Sequence, residues 1–192
     1  MYVAIDLEFN QPFDFKNNAP CEPHPDLSFE IIQVGLALLD SDLDIQNSLE
    51  INIRPTLYQR IHPFVGKITG ITWSDLANCP TFPGAWQDIL KFLSGIEEPI
   101  FAVWGGSDMG LLSKNLYFHG LSTDFISSCP TLNVQQLANK HFDTGGGGSI
   151  GLKTAVEQLG LTQELPFHCA LSDAIYTARV LRALMRGQNN SA

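Results

Sequence analysis

The sequence has few positive charges relative to its negative ones. The chain carries 11 Lys and Arg residues against 20 Asp and Glu, which gives a net charge of −9 at pH 7 and a pI of about 4.8. A protein that coats nucleic acid neutralises many phosphates with Lys and Arg, so this balance argues against long, tight nucleic-acid contacts. It does not exclude an enzyme that holds a few nucleotides through metal ions, because bound cations reverse the local charge of clustered carboxylates.

Other absences narrow the class of protein further. The four cysteines form no CxxC pair, which argues against a zinc knuckle or a disulfide framework and favours reduced thiols in a cytoplasmic protein. No apolar run reaches the ~18 residues of a membrane span. The N-terminal stretch "MYVAIDLEF" lacks the basic region of a signal peptide. We therefore expect a cytoplasmic protein with no membrane partner, and the 192 residues fit a single domain, 1–192.

The hydrophobic pattern predicts three strands, followed by strands that alternate with helices. Residues 2–9, 29–40 and 44–55 have the composition and period of strands, and the turn "SDLD" makes the last two antiparallel. Further strands are predicted at 99–105 and 130–134. Helices are predicted at 62–72, 82–95, 107–120, 135–142, 151–160 and 169–187, with Ser74 capping a further turn. This order predicts a mixed α/β sheet covered by helices.

Two segments lack periodicity. Residues 11–28 hold four prolines and are predicted to form a long loop, and long loops in compact domains are often functional. The stretch "GGGGS" at 145–149 is interpreted as a natural flexible loop between two helices.

Asp6 and Glu8 stand two residues apart on the first strand, so their side chains share one face of the sheet. The strand is apolar enough to be central, and two carboxylates there would repel each other and lose hydration. A divalent cation would compensate both effects. The alternative is that both acids lie at a wet strand end, where they need no cation.

Three further residues offer chemistry at a distance in sequence. Asp108 follows a strand and falls in the first turn of a helix, where an acid is also favoured by the helix dipole alone. His168 lies in the loop before the last helix, and Asp173 lies in that helix beside its apolar stripe. Considered alone, His168 can be interpreted as a surface or capping imidazole rather than a functional one. Asp173 alone can likewise be interpreted as a solvated acid.

Together, these segments resemble the DEDDh group of 3′–5′ exonucleases, the DnaQ-like part of the RNase H-like superfamily. The resemblance runs through "IDLEFN", "EIIQVGLALLD", "KITGIT", "GGSDMGLL", "LKTAVEQLGL" and "HCALSDA". "EIIQVG", "ITGIT" and "SDMGLL" look most like the histone-mRNA and small-RNA exonuclease branch. The resemblance implies a five-stranded mixed sheet, with the second strand antiparallel to the others and helices on both faces.

The resemblance also implies roles for five residues. Asp6, Glu8, Asp108 and Asp173 would be the four acidic metal ligands, and His168 would be the general base. All-oxygen ligands suit two Mg²⁺ or Mn²⁺ ions, which can serve both ends of an in-line displacement at phosphorus. Imidazole can accept a proton from the attacking water near neutral pH.

The chain departs from many members of this group at two positions. Asn10 stands where many members carry Thr, and Gln33 stands where many carry Glu. Neither belongs to the five residues above, so the departures concern how the terminal nucleotide is held.

The segment "HPFVGKITGIT" looks like the family segment that lines the terminal-nucleotide pocket. Its glycines would let a base approach the backbone, and its apolar side chains would stack or pack on that base. Ordinary core packing explains each of these residues equally well. The expected substrate contacts are Phe9, Phe64, Ile68, Gly70, Ile71 and Met109.

The expected activity is metal-dependent hydrolysis from the 3′ end of single-stranded RNA or DNA, with release of nucleoside 5′-monophosphates. One alternative is a non-catalytic nucleic-acid-binding or regulatory protein that keeps the fold. Another is an RNase H-type endonuclease, which a His before the final Asp disfavours. RNA or DNA preference stays open, as does the choice between a monomer and a homodimer.

Overall fold

The computed structural model of the chain describes residues 1–145 and 148–189. The glycine-rich loop predicted at 145–149 therefore lies partly outside the described residues. None of the helices in these two ranges is long and apolar enough to cross a bilayer.

The strands are β1 (Tyr2–Asn10), β2 (Phe13–Asp14), β3 (Ala19–Pro20), β4 (Glu30–Leu39), β5 (Ile45–Asn52), β6 (Ile100–Val103) and β7 (Thr131–Asn133). Five of them form one mixed sheet, in the order β5-β4-β1-β6-β7, and β2 and β3 make a separate two-stranded sheet. Strand β4 pairs antiparallel with both of its neighbours, whereas β6 and β7 run parallel to β1. The predicted five-stranded sheet is confirmed, and β4 is its predicted antiparallel second strand.

Helices cover both faces of this sheet. They are α1 (Pro63–Thr69), α2 (Trp73–Leu76), α3 (Phe82–Phe92), α4 (Asp108–Phe118), α5 (Asp124–Ser128), α6 (Val134–His141), α7 (Leu152–Gln158) and α8 (Ala170–Asn189). One hydrophobic cluster joins β1 and β4 to α3 and α4, and a second joins the opposite face to α6, α7 and α8. β1 is central and buried from both sides because its side chains alternate between the two clusters.

Four details of the sequence-based prediction need correction. The loop at 11–28 contains the β2–β3 hairpin. Helix α2 begins after Thr72 rather than at a Ser74 cap, and the Asp75 carboxylate accepts hydrogen bonds from the N–H and hydroxyl of Thr72. Helix α3 ends at Phe92, three residues before the left-handed Gly95. Helix α5 was not predicted, because its five residues are too few to show a helical period.

Candidate active site

Side chains alternate between the two faces of the sheet along β1, and this alternation places Asp6 and Glu8 on the face that helix α8 covers. Ala4 has the same parity as Asp6 and packs in the cluster with α6, α7 and α8. Val3, Ile5 and Leu7 pack in the opposite cluster with α3 and α4. Asp6 and Glu8 therefore lie near the middle of the sheet rather than at a wet strand end, and both are half-buried.

Glycine at position 35 lets helix α8 begin directly above the neighbouring strand. Gly35 pairs with Asp6 across the β1–β4 ladder. A Cβ at Gly35 would lie only 2.1 Å from the carbonyl carbon of Ala170 and 2.2 Å from the backbone nitrogen of Leu171. The start of α8 thus reaches the acidic side of β1 only because no side chain intervenes.

Gln33 ties the same helix start to the sheet. Its side-chain Oε1 accepts a hydrogen bond of 2.9 Å from the backbone N–H of Ala170, and its Nε2 donates one of 2.9 Å to Oδ1 of Asn52. The first N–H groups of a helix have no partner within the helix, and Gln33 supplies one of those partners. Gln33 is buried and pairs with Glu8 in the strand register, so α8 is anchored next to the acids.

Asp173 and His168 meet at this helix start. Asp173 lies in the first turn of α8, and its Oδ2 accepts a 3.2 Å hydrogen bond from the backbone N–H of His168. His168 is exposed and has a left-handed backbone with φ of 64°. Such a φ costs a non-glycine residue about 1–3 kcal/mol, so the surrounding contacts must hold it.

Asp108 enters from the adjacent parallel strand. It is the first residue of α4, which follows β6, and it is buried. Because β6 runs parallel to β1, both chains leave the sheet at the same edge, where ligands of open α/β sheets collect. The four predicted acids and His168 are therefore brought together beside the carboxyl-terminal half of β1.

All four of these carboxyl groups have raised pKa values. Burial, and then the negative charges of Asp108, Asp173 and Glu8, raise the pKa of Asp6 well above its usual value. Burial and the same kind of repulsion raise the pKa of Glu8 to about 7. Burial raises the pKa of Asp108 to about 6, and it raises that of Asp173 against the lowering effect of the His168 N–H. Four acids here resist being ionised together unless a positive charge joins them.

Two observations fit a divalent cation at this cluster. Ligand atoms of Glu8, His168 and Asp173 lie within 4.8 Å of one another. Oδ1 of Asp173 is buried and has no hydrogen-bond partner in the described part of the chain. A buried carboxylate oxygen without a partner is costly, and a metal ion would satisfy it.

Comparison with known protein families identifies the family of the chain. Residues 3–181 match the exonuclease family RNase_T. The chain belongs to this exonuclease family. The family predicted from the sequence is therefore confirmed, and the chain is a nuclease by family. No curated protein matches the chain in sequence.

Solved structures show the same fold. A full-length 3′-exonuclease superposes with a TM-score of 0.79 at 20% identity, covering 97% of this chain and 82% of that chain. The nuclease domain of 3′hExo, described as a DEDDh family member bound to rAMP, gives a TM-score of 0.76 at 19% identity, with coverage of 97% and 92%. Pop2p of S. pombe, in a form with Mg²⁺ and Mn²⁺ bound, gives 0.71 at 20% identity, with coverage of 100% and 85%.

The six expected substrate contacts of this exonuclease do not share one environment. Phe9 and Met109 pack against the cluster that contains α3 and α4, and Phe9 also meets the ring of Phe29 edge-on at 6.4 Å. Ile71 is buried in a small cluster with Val65. Phe64 is 59% exposed, Ile68 is half-buried, and Gly70 ends α1 with φ of 74°. Ile71 is thus largely buried and Phe64 is exposed, and all six contacts stay predictions.

Asn10 has a structural role that the sequence did not reveal. Its Nδ2 donates hydrogen bonds of 2.8 Å to the Tyr58 carbonyl and 3.0 Å to the Arg60 carbonyl, and its Oδ1 accepts one of 2.9 Å from the N–H of His62. Asn10 is fully buried, so these bonds fix the 58–62 loop to the strand that carries Asp6 and Glu8. A polar residue at the end of an apolar strand was the available signal, but its partners lie about 50 residues away.

Proposed function

We propose that the chain, as one domain over residues 1–192, is a metal-dependent 3′–5′ exonuclease. It removes nucleoside 5′-monophosphates from the 3′ end of single-stranded RNA or DNA. The observation that carries the proposal is the convergence of four carboxylates with raised pKa values around a buried, unpartnered oxygen of Asp173.

The donor set suits Mg²⁺ or Mn²⁺. Asp6, Glu8 and Asp173 would hold one ion, and Asp6 and Asp108 would hold a second, since carboxylate oxygens are the ligands these cations prefer. When bound, the pair of cations stabilises the attacking and leaving oxygens of an in-line displacement at phosphorus. Pop2p, which has the same fold, is described with Mg²⁺ and Mn²⁺ bound.

His168 is suited to accept the proton of the attacking water at an imidazole nitrogen. Its ring is exposed, while its backbone N–H is held by Asp173, so the base and one ligand are set by the same helix start. A loop position leaves the imidazole free to turn between the attacking water and solvent, to which it returns the proton. Loss of a general base costs about 10²–10⁴ in rate.

The direction of attack and the product are supported by the relatives. Two of the structures with this fold are described as 3′-exonucleases or their nuclease domains, and one of them holds rAMP, a nucleoside monophosphate. Extended duplex binding is disfavoured by the net charge of −9. Binding of only a few nucleotides at a single-stranded end agrees better with this charge.

The test is digestion of 5′-labelled RNA and DNA 20-mers with Mg²⁺, Mn²⁺ or EDTA. We expect a ladder that shortens from the 3′ end and disappears in EDTA. A 3′-label should be released at once as a mononucleotide. Failure to cleave either substrate would favour the non-catalytic alternative, and internal cuts would favour the endonuclease.

A further inference from the structure

Two cavities near helix α1 share part of their lining, and neither is lined by His168 or by the four acids of the candidate site. One has a volume of about 700 Å³ and includes His62, Gly66 and Trp73 in its lining. The other has a volume of about 370 Å³ and includes Phe13 and Tyr58. Both are also lined by three shared residues, Phe15, Gln59 and Arg60. We name these two cavities together the Arg60 groove.

The chemistry of the Arg60 groove differs from that of the protein as a whole. Among the described residues, no Asp or Glu lines either cavity, although the chain has 20 of them, and Arg60 is the only Lys or Arg in the lining. The Arg60 guanidinium lies 3.8 Å from the centre of the Phe15 ring, and Arg60 forms no ion pair within residues 1–145 and 148–189. The groove thus offers an uncompensated cation in an acidic protein. The three arginines of α8 are instead paired with acids, namely Arg179, Arg182 and Arg186.

Aromatic surface accompanies this cation. Trp73 is 38% exposed although it is a large apolar side chain. The Phe13 ring lies 5.1 Å from that of Phe15 and 4.8 Å from that of His62, edge-on in both cases. Flat aromatic faces next to an arginine are the features with which proteins hold unpaired bases and their phosphates.

The groove is built on the same strand as the acids. Asn10 fixes the backbone of Tyr58, Arg60 and His62, and Asn10 follows Glu8 by two residues on β1. Two residues of strand span about 7 Å. The hydrogen bonds of Asn10 therefore connect the loop that carries Arg60 to the strand that carries Asp6 and Glu8.

The groove overlaps only in part with the expected terminal-nucleotide contacts. Ile71 lines the groove, whereas the other five expected contacts do not. On helix α1, Pro63 and Gly66 line the groove. Phe64 and Ile68 point at least about 100° away from both of them around the helix axis, because successive residues turn by about 100°. A ligand in the groove thus contacts a different side of α1.

We propose that the Arg60 groove binds upstream nucleotides of the single-stranded nucleic acid whose 3′ end lies at the acidic cluster. A base stacks on the exposed aromatic surface that includes Trp73, and a phosphate pairs with Arg60. This inference rests on the proposed function, because it takes the strand that enters the groove to be the substrate.

The first experiment measures binding without turnover. An Asp6→Asn chain is titrated into a fluorescent single-stranded 12-mer in Mg²⁺, and the anisotropy gives the Kd. Adding Arg60→Ala or Arg60→Gln should weaken binding about 5- to 20-fold. It should also reduce the slope of log Kd against log salt concentration by about one. Adding Trp73→Ala should weaken it about 5- to 50-fold.

Matched controls carry the same chemical changes elsewhere. Arg54→Ala removes an exposed arginine, and Tyr117→Ala removes an exposed aromatic ring, at positions that line neither cavity. Both should keep Kd within twofold. Unchanged 12-mer binding by folded Arg60 and Trp73 variants would overturn the proposal. The proposal would also be overturned if Trp73→Ala bound the 12-mer normally but lost self-association in light scattering. That result would mean that the groove binds a second copy of the chain.

The second experiment separates this inference from the proposed function. In chains with Asp6 intact, kcat/KM is measured for a dinucleotide and for the 12-mer. Arg60→Ala should lose at least fivefold more kcat/KM on the 12-mer than on the dinucleotide. Equal losses of kcat/KM on the two substrates would place Arg60 at the terminal nucleotide and overturn the proposal. If the unsubstituted chain cleaves neither substrate, the proposed function fails, whereas the anisotropy still decides whether the groove binds single strands.

Discussion

The side chain of Gln33 accepts a hydrogen bond from the backbone N–H of Ala170, at 2.9 Å, across 137 positions of sequence. Through this contact a sheet strand supports the first turn of α8, which carries Asp173. The position of one candidate metal ligand thus depends on a neutral amide that is itself no ligand.

Replacing Gln33 with Ala should lower both stability and activity. The substitution leaves a buried N–H without its partner, which costs about 1–3 kcal/mol. It also frees the start of α8, so kcat should fall. Urea unfolding and single-strand digestion measure the two effects. Gln33→Glu keeps a hydrogen-bond acceptor for the N–H of Ala170, so this variant should retain most of kcat. Equal losses of kcat in Gln33→Ala and Gln33→Glu would exclude a role of Gln33 in positioning α8.

Gly35→Ala should displace helix α8 from the sheet. The added Cβ would overlap the backbone of Ala170 and Leu171, which are not flexible side-chain ends. Overpacking of this kind costs about 1–3 kcal/mol or more. We expect a lower melting temperature and a large loss of nuclease activity. Gly110→Ala, where a Cβ would meet nothing within 4 Å, is the matched control and should retain activity.

Removing the imidazole of His168 should slow turnover strongly without abolishing it. His168→Ala and His168→Gly should both lose about 10²–10⁴ in kcat, the usual contribution of a general base. The φ of 64° is unstrained for glycine, so the Gly variant should melt no lower than the Ala variant. Near-normal kcat in either variant would exclude His168 as the base.

Asp6→Asn should abolish turnover and yet stabilise the metal-free protein at neutral pH. Asp6 is surrounded by three other acids, and the substitution removes its charge from the cluster. Both ions of the proposed site depend on Asp6, so no ladder should form. Thermal melts in EDTA at pH 7 should show a higher Tm for the variant. Near-normal digestion by Asp6→Asn would contradict the metal assignment.

The stabilising effect of Asp6→Asn should grow as pH rises. A raised carboxyl pKa means that the folded state holds its protons more tightly than the unfolded state, so stability falls as pH rises through that window. The window runs from the ordinary values near 4 up to about 6 for Asp108 and about 7 for Glu8.

Comparison with the variant is necessary in that experiment because two histidines act in the opposite direction. Burial lowers the pKa values of His62 and His119, so their contribution to stability is lost as pH falls. Both histidines are present in both chains, and their effect cancels in the difference. A stability difference between the chains that is constant from pH 4 to pH 8 in EDTA would contradict the coupled-acid arrangement.

The sequence predicted those parts of the protein that follow from local pattern. The parity of Asp6 and Glu8 on an apolar strand, and the position of Asp173 in the first turn of a helix, required only strand and helix periods. The antiparallel pairing of β4 with β5 followed from the turn between them, whereas the five-stranded sheet was implied by the family resemblance. These features depend on neighbours within about ten positions.

Features that depend on distant partners could not be predicted. Nothing near Gln33 or Asn10 indicates that one supports Ala170 and the other fixes the loop at Tyr58. The expected substrate contacts were also assigned without knowledge of distant partners, and they stay predictions. The segment at 62–72 was assigned as a whole, but Phe64 and Ile71 face different surroundings once α1 is placed on the sheet.

The close approach of α8 to Gly35 also bears on how the protein is made. His168, Ala170 and Asp173 follow Glu8 by at least 160 residues, so they leave the ribosome long after Asp6 and Glu8. The acidic cluster therefore stays incomplete while the intervening residues are made, even if the first strands have already paired. A growing chain cannot assemble the cluster on nearby nucleic acid until helix α8 has emerged and docked.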